Sequence, residues 1–391
     1  MGDPTSWSRY VQRHLECPHE TDPDALHEWL MSFGARYPHT VLYPTNDNLA
    51  WLLSTYRDSL ERHYRMYSPD AEAIENVLDK RRLFEACQYV GIDPPTTQFA
   101  ENAADVQAVA ACTNRPLLLK QRTQVGSFTT SKGSLVTEPR ELPSRYQQFM
   151  AQNRHASAVL QRMPFASWPM LQDYYADAKT GSYMVSGFVN RAHTRIVTQA
   201  ATKLLQYPRT LGIALCLESA PVSQDTIDQL MALCRKTGFY GVFQVEFLVS
   251  AGRRMLNDFN PRFYHYMGYD IARGVPLSWL AYLGACGEEA RLAEEMTQIS
   301  RAMKPTDPLV FTCRLKLNEM IWAQRATGTM SHKDFRHWRS WYQCNRDRIV
   351  DGLADPEDRK PEWGAAVAST FYNLRHPRAF VRKIALDRTA P

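Results

Sequence analysis

Glu246, Asp258, Asn260 and Arg262 follow one another at intervals of twelve, two and two in the run GFYGVFQVEFLVSAGRRMLNDFNPR. A strand turns successive side chains to opposite faces, so the two short intervals put Asp258, Asn260 and Arg262 on one face. The Ala251-Gly252 pair reads as a turn that folds the Gln244 to Val249 strand back, so that Glu246 joins the same wall. Three oxygen donors beside a guanidinium suit Mg²⁺, a hard ion that takes carboxylate and amide oxygens and fills its remaining positions with phosphate oxygens and water. The wall therefore predicts a site for a metal-bound nucleoside triphosphate, with Arg262 where phosphoryl charge develops. Taken alone, DFNPRF also reads as a turn, because Asn-Pro opens turns.

The elements that must hold this wall are spread over 391 residues, enough for two or three domains with cores of their own. At 44% apolar and 22% charged residues, the composition is that of an ordinary globular protein rather than a disordered one. No apolar run approaches the roughly 18 residues of a membrane span, and the amino terminus is too polar for a secretory signal, which predicts a cytoplasmic protein. Eight cysteines without a CxxC pair predict reduced thiols. Cys17, His19 and His14 form a metal corner that lacks a second ligand cluster. The net charge of +5 comes without a lysine-rich block or an aromatic RNA-binding signature, and nucleic acid is excluded as a partner. The opening Met1-Gly2-Asp3-Pro4-Thr5-Ser6 formally fits a myristoylation pattern, which Asp3 and Pro4 disfavour.

Along the chain, DALHEWLMSFGA has helical spacing, HTVLYPTND reads as a short strand with a turn, and Asp47 reads as the cap of the next helix. Thr45, Asn46 and Asp47 are also candidates for substrate contact, since ligands of α/β sheets gather beyond strand ends. Between residues 102 and 185, strands PLLLKQ, GSLVT, SAVLQRM and PMLQDYYA with a helix around RELPSRYQQFM predict a small α+β unit. SQDTIDQLMALCRKTGF predicts a helix capped by Ser223 and closed by Gly238. After Gly268 the pattern is helical to the end. Tyr264, Tyr266 and Tyr269 either line a pocket or pack against those helices, and Asp270, beyond the motif, reads as a bystander. The last stretch carries Arg375, Arg378, Arg382, Lys383 and Arg388 against Asp387. It suits either a membrane surface or acidic partner, or packing on its own domain with the cations left in water.

The Glu246 and Asp258-x-Asn260-x-Arg262 pair of strands resembles the metal-binding strands of the ATP-grasp superfamily, at the spacing found in biotin carboxylases. The resemblance extends upstream. VLDKRRLFEACQYVGIDPPTT is similar to the segment that supplies a phosphate-contacting lysine, here Lys80, and RPLLLKQ places Lys120 forty residues later as the second nucleotide lysine. A lone lysine of either kind is ordinarily a solvated charge; the order of all four elements carries the assignment. QRTQVGSFTTSK occupies the place of the phosphate-covering loop, with Ser127, Thr129, Thr130 and Ser131 as hydroxyl donors where relatives are richer in glycine. Gln161-Arg162-Met163-Pro164 matches the strand-end hinge that holds adenine, Arg162 standing where an acidic residue is frequent. KLLQYPR offers Lys203 and Arg209 to a phosphate or carboxylate. SRYVQRHLECPHETDPDALHEWL with VLYPTNDNLAWLL resembles the first domain of the D-aspartate-ligase-like branch of predicted ATP-dependent carboligases, without the glycine-rich strand-loop-helix that usually opens it.

What the resemblance implies is an α/β and α+β chain with the ATP-grasp fold. Residues 1–75 would form a short α/β domain and 76–290 the ATP-grasp domain, a mobile lid at about 102–185 closing on a mixed-sheet catalytic part; 291–391 would be a helical tail. Cofactors would be ATP and Mg²⁺, with Mn²⁺ able to substitute, and the partners a small carboxylate and an amine; a homodimer is open. Arg262 and Lys203 would be catalytic, Lys80, Lys120, Ser127, Gln161 and Met163 would hold the nucleotide, and Glu246, Asp258 and Asn260 the metal. The reaction would form ADP and pass through an acyl phosphate, with His193 and His265 as candidate general bases. Two rival classes are a carboxylase acting through carboxyphosphate, for which the chain has no biotin-carrier segment, and a nucleotide-binding regulator without turnover.

Overall fold

The computed structural model describes residues 4–129, 133–179, 182–207, 212–376 and 378. Its strands are β1 (Thr40–Val41), β2 (Tyr64–Arg65), β3 (Thr97–Gln98), β4 (Leu117–Gln121), β5 (Ser134–Val136), β6 (Pro169–Asp173), β7 (Tyr183–Val189), β8 (Ile196–Tyr207), β9 (Ile213–Ala220), β10 (Gly241–Ser250), β11 (Arg253–Asn260), β12 (Val310–Thr312) and β13 (Ile349–Asp351). Among the described residues they make three sheets: a parallel pair β1-β2, a four-stranded sheet in the order β3-β6-β4-β5, and a seven-stranded sheet in the order β11-β10-β7-β8-β9-β12-β13.

The large sheet is covered on both faces, which is why β7 is buried at every position instead of alternating with solvent. Val185, Val189, Phe243, Val245 and Phe247 share a core with the helices Ala71–Leu78, Lys80–Tyr89 and Gln224–Thr237. Met184, Phe188, Val197 and Val242, from the opposite parity, meet the helices Leu277–Ala285 and Glu289–Ala302. The helix Gln224–Thr237 starts at Ser223, whose side chain accepts from Thr226 N, and ends at Gly238 in the left-handed region, as its sequence predicts.

The small sheet carries Leu117, Leu119, Val136 and Leu171 against Val106, Val109, Leu142, Tyr146 and Phe149 of the helices Ala103–Cys112 and Leu142–Gln152. Two expectations fail. SAVLQRM is the helix Ser157–Arg162 rather than a strand: Val159 and Met163 are both buried four residues apart, and Met163 N donates to Val159 O at 2.7 Å. A short apolar run does not distinguish the two periods, and here the helical one wins. The carboxyl-terminal region is not wholly helical either, since β12 and β13 extend the large sheet beyond β9. No helix of the described residues is long and apolar enough to cross a membrane.

Candidate active site

The wall begins with a two-residue turn. Ala251 and Gly252 both take positive φ, 48° and 78°, the backbone of a tight hairpin whose twist matches its strands. β10 and β11 then pair so that Glu246 lies opposite Asp258, and Gln244 opposite Asn260. Between Glu246 and Phe247 the register shifts by one residue, leaving Asn257 as the extra residue of a bulge. Arg262 Nη2 donates to Asn260 Oδ1 at 2.7 Å, and Asn260 Nδ2 donates to Gln244 Oε1 at 2.6 Å. Glu246, Asp258, Asn260 and Arg262 thus line one cleft of about 190 Å³.

Lys80 and Lys120 line the opposite side. Lys80 is the first residue of its helix, capped by Asp79, whose carboxylate accepts from Arg81 N and Arg82 N. The same carboxylate takes the buried Arg122 Nε, 2.9 Å from both oxygens, while Lys80 N donates to Arg122 O at 3.1 Å. This clasp joins the helix that carries Lys80 to the end of the strand that carries Lys120. Lys120 Nζ donates to Gln172 Oε1 at 3.4 Å and to Asn257 Oδ1 at 3.3 Å, so the bulge gives the small sheet its contact with the hairpin.

Each acid of the cleft faces a cation. Asp258 accepts from Lys80, Asp47 Oδ1 from Arg262 Nε at 2.9 Å, and Glu246 Oε1 from Lys203 Nζ at 2.5 Å. Lys203 stands on β8 and reaches Glu246 across β7, a span of about two inter-strand spacings that its long side chain covers. Burial opposes ionisation of Asp258, but Lys80, Lys120 and Arg262 outweigh it and hold the carboxyl below its ordinary value. Burial also pushes the His265 imidazole down, as do Arg262 and Lys203, so that it is neutral at pH 7. Tyr264 and Tyr266 border the cleft with phenols that burial pushes far up, so neither serves as a base, and Tyr264 Oη already donates to Asp270.

Other expected residues stand elsewhere. Ser127 Oγ is held within its own loop, accepting from Gln121 Nε2 at 2.7 Å and Thr129 N at 3.1 Å, while Gln121, Thr123 and Gln124 line the cleft. Gly126 holds the loop down: it has φ 60°, and a Cβ there would come within 2.6 Å of Val159. Gln161 is exposed on its helix and Met163 is buried in the core, so neither forms a strand end. The strand that leads from the small sheet toward the large one is β6, whose Gln172 is buried and donates to Asn257 Oδ1 at 3.3 Å. Arg162 pairs with the buried Glu75 at 2.6 Å, which accounts for a cation at that position. Asn46, not Asp47, caps its helix, and Asp47 is left to bind Arg262. His193 bonds Phe239 O at 2.8 Å beyond the end of β7. From the Val189 end of that strand to Met184, beside Glu246, is about 17 Å at the rise of a strand, and His193 drops out as a base. Arg209, Thr130 and Ser131 lie outside the described residues.

Among the described residues there is no group of three or more His, Cys, Asp or Glu side chains able to hold a metal ion. Two facing carboxylates with an amide oxygen fit Mg²⁺ that keeps water and phosphate as its other ligands, and do not fit a metal caged by protein alone.

No protein-family profile and no curated protein sequence matches the chain. Solved structures do. The biotin carboxylase domain of Hydrogenobacter thermophilus 2-oxoglutarate carboxylase, in complex with MgADP, ADP and bicarbonate, is similar with a TM-score of 0.55 and 14% identity over 68% of this chain and 58% of that one. An L-amino acid ligase from Bacillus licheniformis is similar with a TM-score of 0.50 and 12% identity over 70% and 63%. The chain thus spans less than two thirds of the length of these structures. The fold is that of the ATP-grasp enzymes: a mixed α/β architecture in which a small sheet faces a larger one across the cleft.

Proposed function

We propose that the chain is an ADP-forming ATP-grasp ligase that activates a carboxylate as an acyl phosphate and couples it to an amine such as an amino acid. The observation that carries this function is the single cleft in which Glu246, Asp258, Asn260 and Arg262 face Lys80 and Lys120. The similarity to an L-amino acid ligase and to a biotin carboxylase domain with bound MgADP supports it at the level of fold.

In this reading Lys80 and Lys120 bind phosphate oxygens, and Glu246, Asp258 and Asn260 hold Mg²⁺. When bound, the metal supplies neutralisation of the phosphate charge. The ion pairs Lys80–Asp258 and Lys203–Glu246 open as the ligand arrives, each cation exchanging a carboxylate for an anionic oxygen of substrate and each carboxylate exchanging a cation for the metal. Arg262, steered by Asp47, and Lys203 orient the substrate carboxylate so that its oxygen attacks the terminal phosphorus and ADP departs. The amine then takes the acyl group and releases phosphate. Positioning and charge neutralisation supply most of the rate, since phosphoryl transfer asks for little covalent help. The unit at residues 102–185, which holds three of the small sheet's four strands, acts as the lid, and the adenine lies against the β6 end near Gln172 rather than at Gln161. A panel of amino acids and organic acids incubated with Mg-ATP tests this: chromatography should show ADP and a coupled product, and AMP with pyrophosphate would remove the acyl-phosphate route.

A further inference from the structure

The helix Lys360–Arg375 lies on the surface with its polarity inverted. Its polar side turns inward: Arg314 Nη2 donates to Glu362 at 3.2 Å, Lys316 Nζ to Ser369 Oγ at 3.2 Å, and Asn373 Nδ2 to Glu319 Oε1 at 3.0 Å. Trp363, Val367, Phe371 and Leu374 point out instead, spaced four, four and three residues apart and so aligned in one stripe. Trp363 is 66% exposed and Leu374 73%. A surface helix of a globular protein normally does the reverse.

The amino-terminal segment widens this stripe. The turn Pro4–Trp7 packs there, with the Trp7 ring so close to Gly364 that a Cβ would come within 2.9 Å of it. Ser8 Oγ and Arg9 N bind Asp358 at 2.6 and 3.0 Å and fix the segment, while Tyr10 and Val11 follow exposed. At the other end of the helix Arg375 and Arg378 are exposed, and the sequence beyond them adds Arg382, Lys383 and Arg388 against the single carboxylate Asp387.

We propose that this face docks on an anionic membrane surface. Trp363, Phe371 and Leu374 enter the boundary between headgroups and acyl chains, and Arg375 and Arg378 meet lipid phosphates. Aromatic rings and arginines together are what the interfacial zone accepts. An acidic protein would answer the cations and leave the tryptophan and phenylalanine in water. A second copy of the chain would need about 800 Å² and some 20–30 residues a side for a stable interface, and one helical stripe with Trp7 and Tyr10 supplies only a fraction of that. The contact is peripheral, and it is independent of the ligase reading.

Sedimentation of the full chain with phosphatidylcholine vesicles, with and without phosphatidylglycerol, tests the proposal. Binding should require phosphatidylglycerol and fall with salt. Trp363→Ser/Phe371→Ser/Leu374→Ser should weaken it at least about tenfold with the melting temperature unchanged. Arg375→Ala/Arg378→Ala should weaken it about thirtyfold at low salt and leave the apolar stripe intact. The proposal is overturned if the chain ignores anionic vesicles, if the triple variant binds like the wild type, or if light scattering finds a dimer that the triple variant dissociates.

Discussion

Asp258 and Asp270 stand twelve residues apart and should respond in opposite ways to the same change, Asp→Asn. Asp270 is 1% exposed and accepts from Ser186 Oγ at 2.6 Å, Tyr264 Oη at 2.5 Å and Arg273, itself 3% exposed. An asparagine there has one acceptor oxygen for three donors and no charge for Arg273. Removing one partner of a buried pair costs about 3–5 kcal/mol, and that is the destabilisation expected of Asp270→Asn. The Asp258 side chain is 38% exposed, so its pair with Lys80 contributes about 0–1 kcal/mol, and Asp258→Asn should fold almost as well as the wild type. Its loss falls on turnover, because a charge leaves the site that would hold Mg²⁺ against phosphate. Urea denaturation followed by circular dichroism measures the first quantity, and ADP formation across a magnesium titration the second. Equal stability of both variants with the wild type would refute the buried network; full activity of Asp258→Asn at every magnesium concentration would refute the metal wall. Position beyond the motif marks Asp270 as a bystander, and its packing makes it structural.

Lys120→Ala removes a charged donor from the cleft and should weaken ATP binding by about 10- to 100-fold in calorimetry, whereas unchanged ATP affinity with poorer acid affinity would reassign the lysine. Arg122→Met leaves Asp79 buried without its counter-charge and should cost about 3–5 kcal/mol in chemical denaturation; a loss under about 1 kcal/mol would contradict the clasp. Asp258 has a folded pKa below its unfolded value of about 3.9, so its contribution to stability is complete above that value and is lost as pH falls through the lower one. The stability gap between wild type and Asp258→Asn should therefore be flat near neutrality and close below about pH 4, and a gap that widened in acid would count against the assignment. His265 should titrate by NMR below about 6.5, contributing stability that is full above that pH and lost beneath it; a midpoint above it would show that burial and the nearby cations do not govern it.

The hairpin was legible because period-2 alternation and a turn dipeptide are local, but those alone would pair Glu246 with Asn257, and it is the bulge that brings Glu246 opposite Asp258. The bulge at Asn257 was not legible, since it exists only in the pairing of two strands. Gln161 and Met163 misled because six residues of SAVLQR suit a helix and a strand alike, and the tertiary contacts of Val159 decide between them. The clasp joins residues 43 apart in sequence through a buried ion pair, for which no periodicity exists. β12 and β13 have three residues each, too few to carry a pattern. The Lys360–Arg375 stripe went unread for another reason: only the partners of Glu362 and Asn373 reveal which side of the helix faces the protein.

The Asp79–Arg122 clasp also decides where motion is cheap. Lys80 adjoins one half of it and Lys120 lies two residues from the other. In a rigid rotation, displacement grows with distance from the axis. A swing of the small sheet that kept the clasp intact would therefore pivot beside both lysines. The two cations would sit at the fulcrum of that swing. An anion arriving before such a swing would meet the same pair of charges, at nearly the same separation, as after it.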